Sequence, residues 1–232
     1  MKSIKIMSCI LAAGMLFTSC NMSNTGKGAL IGGGSGAAVG AGLGAIFGKG
    51  KGAAIGAAVG AAVGTTAGAL IGKKMDKAAE QAKQVEGAQV EQVTDNNGLQ
   101  AVKVTFDSGI LFSTSSSNLS SSAKSSLSKF ANDVLNQNRD MDVTIYGYTD
   151  NQGWKNSTAE QSYQKNLNLS QERAQSVASY LLACGVSTNQ IKSVQGMGEA
   201  NPIADNSTAA GRQEIYLYAS QQMIQQAEAG TL

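Results

Sequence analysis

Three patterns of hydrophobic and polar positions follow one another along the chain. The first is a leader: Lys2 and Lys5, an apolar run over residues 6–17, then Thr18-Ser19-Cys20 and a polar continuation. A basic start, a short apolar run and small residues before the break describe a secretory signal, and the run is too short to span a bilayer as a helix. The second is a ladder with glycine at every fourth position from Gly28 to Gly72, and with Ala, Val, Leu and Ile in most places between. The third begins near residue 90, where strand-like alternation and helix-like spacing take turns.

In this last stretch, residues 90–93 and 99–106 flank Thr94-Asp95-Asn96-Asn97-Gly98, a turn signal that predicts a hairpin. Leu119, Ala123, Leu127, Phe130, Ala131, Val134 and Leu135 keep helical spacing through a serine-rich segment. Residues 143–148 read as a strand that ends at Thr149-Asp150. Ser170 is expected to cap a second helix, with Ala174, Val177, Leu181 and Leu182 on its apolar face and its end at Cys184-Gly185. Residues 191–195 and 215–218 supply two further strands. The expected fold is α+β: a two-layer βαβαββ domain with both helices on one face of a mixed sheet. Cys184 is read as a buried core thiol.

The ladder is duplicated, because Gly26-Lys27-Gly28-Ala29 recurs 24 residues later as Gly50-Lys51-Gly52-Ala53. Lysines at 27, at 49 and 51, and at 73 and 74 bracket two apolar segments of about 21 residues, roughly 30 Å as helices, which matches a bilayer's hydrocarbon thickness. In water each glycine costs a helix about 1 kcal/mol relative to alanine. In lipid, where backbone groups must be satisfied internally, small residues spaced by four let helices approach closely. A Gly/Ala-rich helical hairpin in the membrane is the expectation, with self-association through the stripe; a flexible low-complexity linker is the alternative. Glycine-zipper segments of some outer-membrane lipoproteins resemble this pattern.

These patterns divide the chain into a signal peptide (1–19), a lipidated N-terminus and spacer (20–27), the glycine hairpin (28–74), a polar helical connector running into a short strand (75–94), the core domain (95–220) and a polar tail (221–232). Thr18-Ser19-Cys20 resembles the lipobox of bacterial lipoproteins, which implies that Cys20 is the lipidated first residue of the mature protein. A plain signal peptide cut near Ser19 is the alternative. By the sorting rule of enterobacterial lipoproteins, Asn21 after Cys20 implies the outer membrane.

Composition narrows the chemistry. Residues 21–94 carry seven lysines against four acids, and residues 95–232 carry nine basic residues against twelve acids, so no broad basic surface for nucleic acid exists. The chain has no histidine, which removes Ser-His-Asp and Cys-His nucleophile systems and the common His-ligated zinc sites. Two of the three cysteines, Cys9 and Cys20, lie in the leader, so no disulfide framework is expected.

Several ordered motifs between residues 102 and 218 resemble the OmpA-like peptidoglycan-binding domain. They are Phe106-Asp107 with Ile110-Leu111-Phe112, Gly147-Tyr148-Thr149-Asp150 with Gly153, Asn166 three before Leu169-Ser170, Arg173-Ala174, Gly196-Met197-Gly198 with Asn201-Pro202, and the stretch from Asn206 to Arg212. The resemblance implies that Asp150 and Arg173 grip the diaminopimelate side chain of a peptidoglycan stem peptide, with Thr149, Asn151, Asn166 and Asp107 lining the site. It implies no cofactor, metal or catalytic residue. The partners it implies are peptidoglycan and outer-membrane lipid, with the C-terminal domain in the periplasm.

The residues themselves allow the same reading. With Ser170 as cap, Arg173 falls in a first helical turn, where a cation opposes the macrodipole. An arginine fork beside free helix N–H groups receives a carboxylate, and Asp150 at a strand end receives an ammonium, which together suit a zwitterionic amino-acid centre. A structural Asp150–Arg173 salt bridge is the alternative.

Two features depart from the family. About eight extra residues separate Asp150 from Arg173, Trp154 and Tyr163 among them, either as a rim over the site or as a surface loop. The family's Asn-Arg-Arg stretch before the last strand is also missing, since Gly211-Arg212 passes into Gln213-Glu214-Ile215. Two other functions compete with tethering: a membrane-inserting or pore-forming oligomer anchored by its C-terminal domain, and a peptidoglycan-cleaving enzyme built on Asp107 and Asp150. The second is set aside, because no further acid-base environment accompanies the pair.

Overall fold

The computed structural model describes residues 65–95, 97–200 and 211–232; Cys20 and the ladder as far as Gly64 lie outside them. The elements are α1 (Thr65–Lys83), β1 (Ala88–Thr94), β2 (Gln100–Asp107), the one-turn α2 (Ser108–Leu111), α3 (Ser121–Phe130) with a π turn at Ala131–Leu135, β3 (Met141–Tyr148), α4 (Ala159–Ala183), β4 (Ile191–Gly196), β5 (Arg212–Ala219) and α5 (Gln221–Glu228). The strands form one mixed sheet in the order β1-β2-β5-β3-β4, in which only β3 and β4 run parallel. A parallel pair needs a crossover, and α4 supplies it.

The β1–β2 turn forms as its residues require. Oδ1 of Asp95 accepts the backbone N–H groups of Asn97 (2.8 Å) and Leu99 (2.9 Å), and Gly98 takes a φ of 73° that a side chain would resist. Strand alternation then sends Val102, Val104 and Phe106 of β2, Ile215 and Leu217 of β5, and Met141, Val143 and Ile145 of β3 into one core. Leu127, Phe130 and Leu135 of α3 and its π turn, with Ala174, Val177 and Leu181 of α4, complete that core. Phe106 meets Phe130 edge to face at 5.8 Å. The α+β fold, with its mixed sheet and helices on one face, is the one expected.

Three boundaries move. The segment expected to be connector is the second half of α1, whose Ala67, Ile71, Met75, Ala78, Ala79 and Ala82 are all buried in the same core. Lys74 pairs with Asp140, Asp76 accepts from the side-chain amides of Gln92 and Gln100 (both 2.9 Å), and Asn138 donates to Gln81 (2.9 Å). Residues 65–74, expected in the membrane hairpin, are thus part of the C-terminal domain. Among the described residues no helix is long and apolar enough to cross a membrane. The polar tail is also structured: Ser220 caps α5, which buries Met223, Ile224 and Ala227. Its three apolar residues, at i, i+1 and i+4, are enough for one buried stripe.

The third boundary matters most for the site. Helix α4 is capped twelve residues before the expected position, at Thr158, whose Oγ1 accepts the Gln161 N–H (3.2 Å) while the Gln161 side chain accepts the Thr158 N–H (3.0 Å). The Thr-x-x-Gln capping box was present in the sequence. What obscured it was the polar face that follows, where an apolar period is missing because these turns do not cover the core. Ser170 is a fully buried mid-helix residue whose hydroxyl donates to the Leu167 carbonyl (2.7 Å) and accepts from the Gly198 N–H (2.9 Å).

Two glycines let α4 lie on the sheet backbone. A Cβ at Gly147 would come 2.3 Å from the Ser170 carbonyl oxygen, and one at Gly196 would come 2.3 Å from the Gln171 nitrogen. The Gln171 side chain accepts from the Gly196 N–H at 2.6 Å. This contact sets where the middle of α4 stands relative to the end of β3.

Candidate ligand-binding site

Beyond β3 the chain leaves the sheet, held by a bond from the Thr149 N–H to the Gly198 carbonyl (2.9 Å). A cleft of about 390 Å³ opens there. Thr149, Asp150, Gln152, Trp154 and Lys155 line it from the β3–α4 loop, Asn166, Leu169 and Arg173 from α4, and Ser108, Gly109, Phe112, Thr114, Ser115 and Gly211 from the facing turns.

Arg173 is buried in the interior of α4, not in a first turn, so free helix N–H groups contribute nothing beside it. Its Nε donates to the Ser116 carbonyl (2.9 Å) and its Nη2 to the Ser113 carbonyl (3.4 Å), and the guanidinium lies 5.1 Å from the centre of the Phe112 ring. These contacts orient the fork and occupy two of its five N–H groups. Burial lowers the Arg173 pKa, and the Asp150 carboxylate acts in the opposite direction. The six ion pairs among the described residues do not include Asp150 with Arg173. The two charges share a cleft without closing on each other.

Asn166 is a strut. Its Oδ1 accepts the Trp154 indole N–H at 2.6 Å, and its Nδ2 donates to Glu199 (3.0 Å) and to the carbonyls of Gln152 (3.3 Å) and Asp150 (3.4 Å). The residue is 3% exposed, so it holds the Asp150 loop in place and has little surface to offer a ligand. Thr149 and Ser108 bring buried hydroxyl oxygens with no hydrogen-bond partner among the described residues. A bound polar group would give them one.

Of the residues singled out in the sequence, Thr149, Asp150, Asn166 and Arg173 meet in the cleft, whereas Asp107 and Asn151 do not line it. Asp107 caps α2, its Oδ1 accepting the Gly109 N–H at 2.6 Å, and Asn151 is exposed beside the mouth. Ser108 and Lys155 were missed, while Trp154, one of the two aromatic residues named for the extra loop, lines the cleft. Trp154 carried a signal, being the chain's only tryptophan and lying in the extra loop. Tyr163 of the same insertion sits on the outside of α4, 46% exposed. Cys184 is half-buried at the helix end, its Sγ 3.5 Å from the Ser128 hydroxyl.

Residues 111–215 match the OmpA family, and residues 1–76 match the YMGG-like Gly-zipper family. The probable lipoprotein YiaD of Escherichia coli is 41% identical over 109 residues, which are 47% of this chain and 42% of that protein. The peptidoglycan-binding protein ArfA of Mycobacterium bovis is 46% identical over 80 residues, 34% of this chain and 22% of its own length. The chain thus spans less than half the length of either relative. A crystal structure of a MotB-like protein from Desulfovibrio vulgaris superposes with a TM-score of 0.53 at 22% identity, over 65% of this chain and 97% of that one, and shows a shared fold. The chain therefore carries an OmpA-family domain over residues 111–215, behind a YMGG-like glycine-zipper segment.

Proposed function

We propose that the C-terminal domain binds peptidoglycan non-covalently through a diaminopimelate-type residue of the stem peptide and so tethers the outer membrane to the wall. The observation that carries this reading is the cleft that Asp150 and Arg173 both line without pairing with each other. Asp150 receives an ammonium, and the free N–H groups of Arg173 take a carboxylate in a two-point bond. The match of residues 111–215 to the OmpA family and the likeness to a protein named for peptidoglycan binding support it. At the other end, lipid on Cys20 and the part of the glycine ladder that precedes residue 65 hold the chain at the membrane. The domain acts by binding, and no chemical step is required.

Co-sedimentation of the full chain with purified sacculi tests the reading. Asp150→Ala leaves a ligand ammonium unmatched in the cleft, and the expected loss is about 2–5 kcal/mol of binding. Arg173→Lys keeps the charge but loses the fork, and weakens binding in the same direction. Undiminished binding by both folded variants would return the two residues to a structural role.

A further inference from the structure

The extra segment between β3 and α4 is a braced wall. The Trp154 N–H donates to the Ser162 hydroxyl (3.0 Å), its indole to Asn166 (2.6 Å), and the Lys165 ammonium to the Ser157 hydroxyl (2.9 Å) while lying 5.6 Å from the Trp154 ring centre. Asn156 takes a left-handed φ of 58°, a turn conformation that asparagine tolerates well. The first two turns of α4 therefore fix this loop at three points and place Lys155 on the cleft beside Trp154.

That placement unbalances the charge of the site. Among the described residues three charged ones line it, namely Asp150, Lys155 and Arg173, so one carboxylate faces two cations there. Behind the lining, Glu199 and Lys165 add one charge of each sign. A zwitterionic amino-acid centre uses one cation and one carboxylate, which leaves Lys155 without a counterpart on the ligand. We infer that Lys155 reads a further carboxylate of the stem peptide, so that the cleft selects stem peptides with free carboxylates over amidated ones. The inference rests on the peptidoglycan reading above. Lysine suits the task, because its flexible stem lets an ammonium on a fixed loop reach a carboxylate whose position varies. Exposure to solvent limits the gain to about two- to fivefold in affinity.

The test is calorimetric titration of the full chain with two synthetic stem peptides that share one diamino acid with its zwitterionic centre intact. One carries its remaining carboxylates free, and the other carries them as amides. The parent chain should bind the free form about two- to fivefold more tightly, and Lys155→Gln should bind both peptides alike, at the parent's affinity for the amidated form. Equal binding of both peptides by the parent, or a preference that survives Lys155→Gln, overturns the inference and leaves peptidoglycan binding standing. Failure of the parent to bind either peptide overturns both.

Discussion

The indole N–H of Trp154 donates to Oδ1 of Asn166 across 2.6 Å, and the same Asn166 amide holds the carbonyls of Asp150 and Gln152 and the Glu199 carboxylate. One buried side chain thus couples the wall of the cleft to the loop carrying its carboxylate. Trp154→Phe keeps the ring and removes the donor, and should cost about 1 kcal/mol of stability; Asn166→Ala strands several partners and should cost about 1–3 kcal/mol. Both should weaken sacculus binding while Asp150 and Arg173 are intact. Urea denaturation beside co-sedimentation reads both effects, and unchanged stability in Asn166→Ala would remove the strut assignment.

Gly147→Ala should be far more harmful than its one methyl suggests. The added carbon meets the backbone of Ser170, which has no rotamer to yield, so α4 must lift and carry Arg173 away from Asp150. A loss of about 1–3 kcal/mol or more is expected, together with loss of binding. Gly153→Ala is the control, since its new carbon would meet only the Ser162 hydroxyl at an ordinary 3.8 Å. Equal stability of the two variants would contradict the close-approach account.

Helix α1 belongs to the folded domain, so Ile71→Ala should destabilise it by about 2–5 kcal/mol through a cavity in the core. A fragment starting at residue 95 lacks both α1 and the edge strand β1 and should not unfold cooperatively, whereas one starting at residue 65 should. Differential scanning calorimetry of the two fragments decides the point.

Asp95 gives the domain a pH dependence of identifiable origin. Burial pushes its carboxyl up to about 6 from 3.8, against the opposing bonds from Leu99 and Asn97. The folded state therefore keeps a proton that the unfolded chain has released, and this group's contribution is fully present below about pH 4, falls as pH rises and is gone above about pH 6. Asp95→Asn keeps the acceptor oxygen and cannot titrate. Measured by urea denaturation, the stability of the parent relative to this variant should fall by about 2–3 kcal/mol between pH 4 and pH 6. A constant difference would show that the carboxyl titrates normally.

Periodicity, turn residues and capping signals act within a few residues of one another, and apart from the Thr158 capping box the sequence was legible where they govern the outcome. Asp95 and Gly98 announce the β1–β2 turn, the alternation from Val102 to Phe106 names a core face, and Cys184-Gly185 ends α4. The opposite charges of Asp150 and Arg173, which both line the cleft, were likewise legible. Tertiary structure decided which partner each ambiguous residue took. Ser170 has the side chain of a cap, and only the arrival of Gly198 from across the sheet makes it a buried mid-helix contact. Asn166 resembles a ligand residue until Trp154 and Glu199 fill its bonds, and the ladder's last turns look like membrane until the faces of β2 and α5 cover them. A polar or small side chain meets its requirements with whatever the fold brings within hydrogen-bond or van der Waals reach, and local sequence does not contain that neighbour.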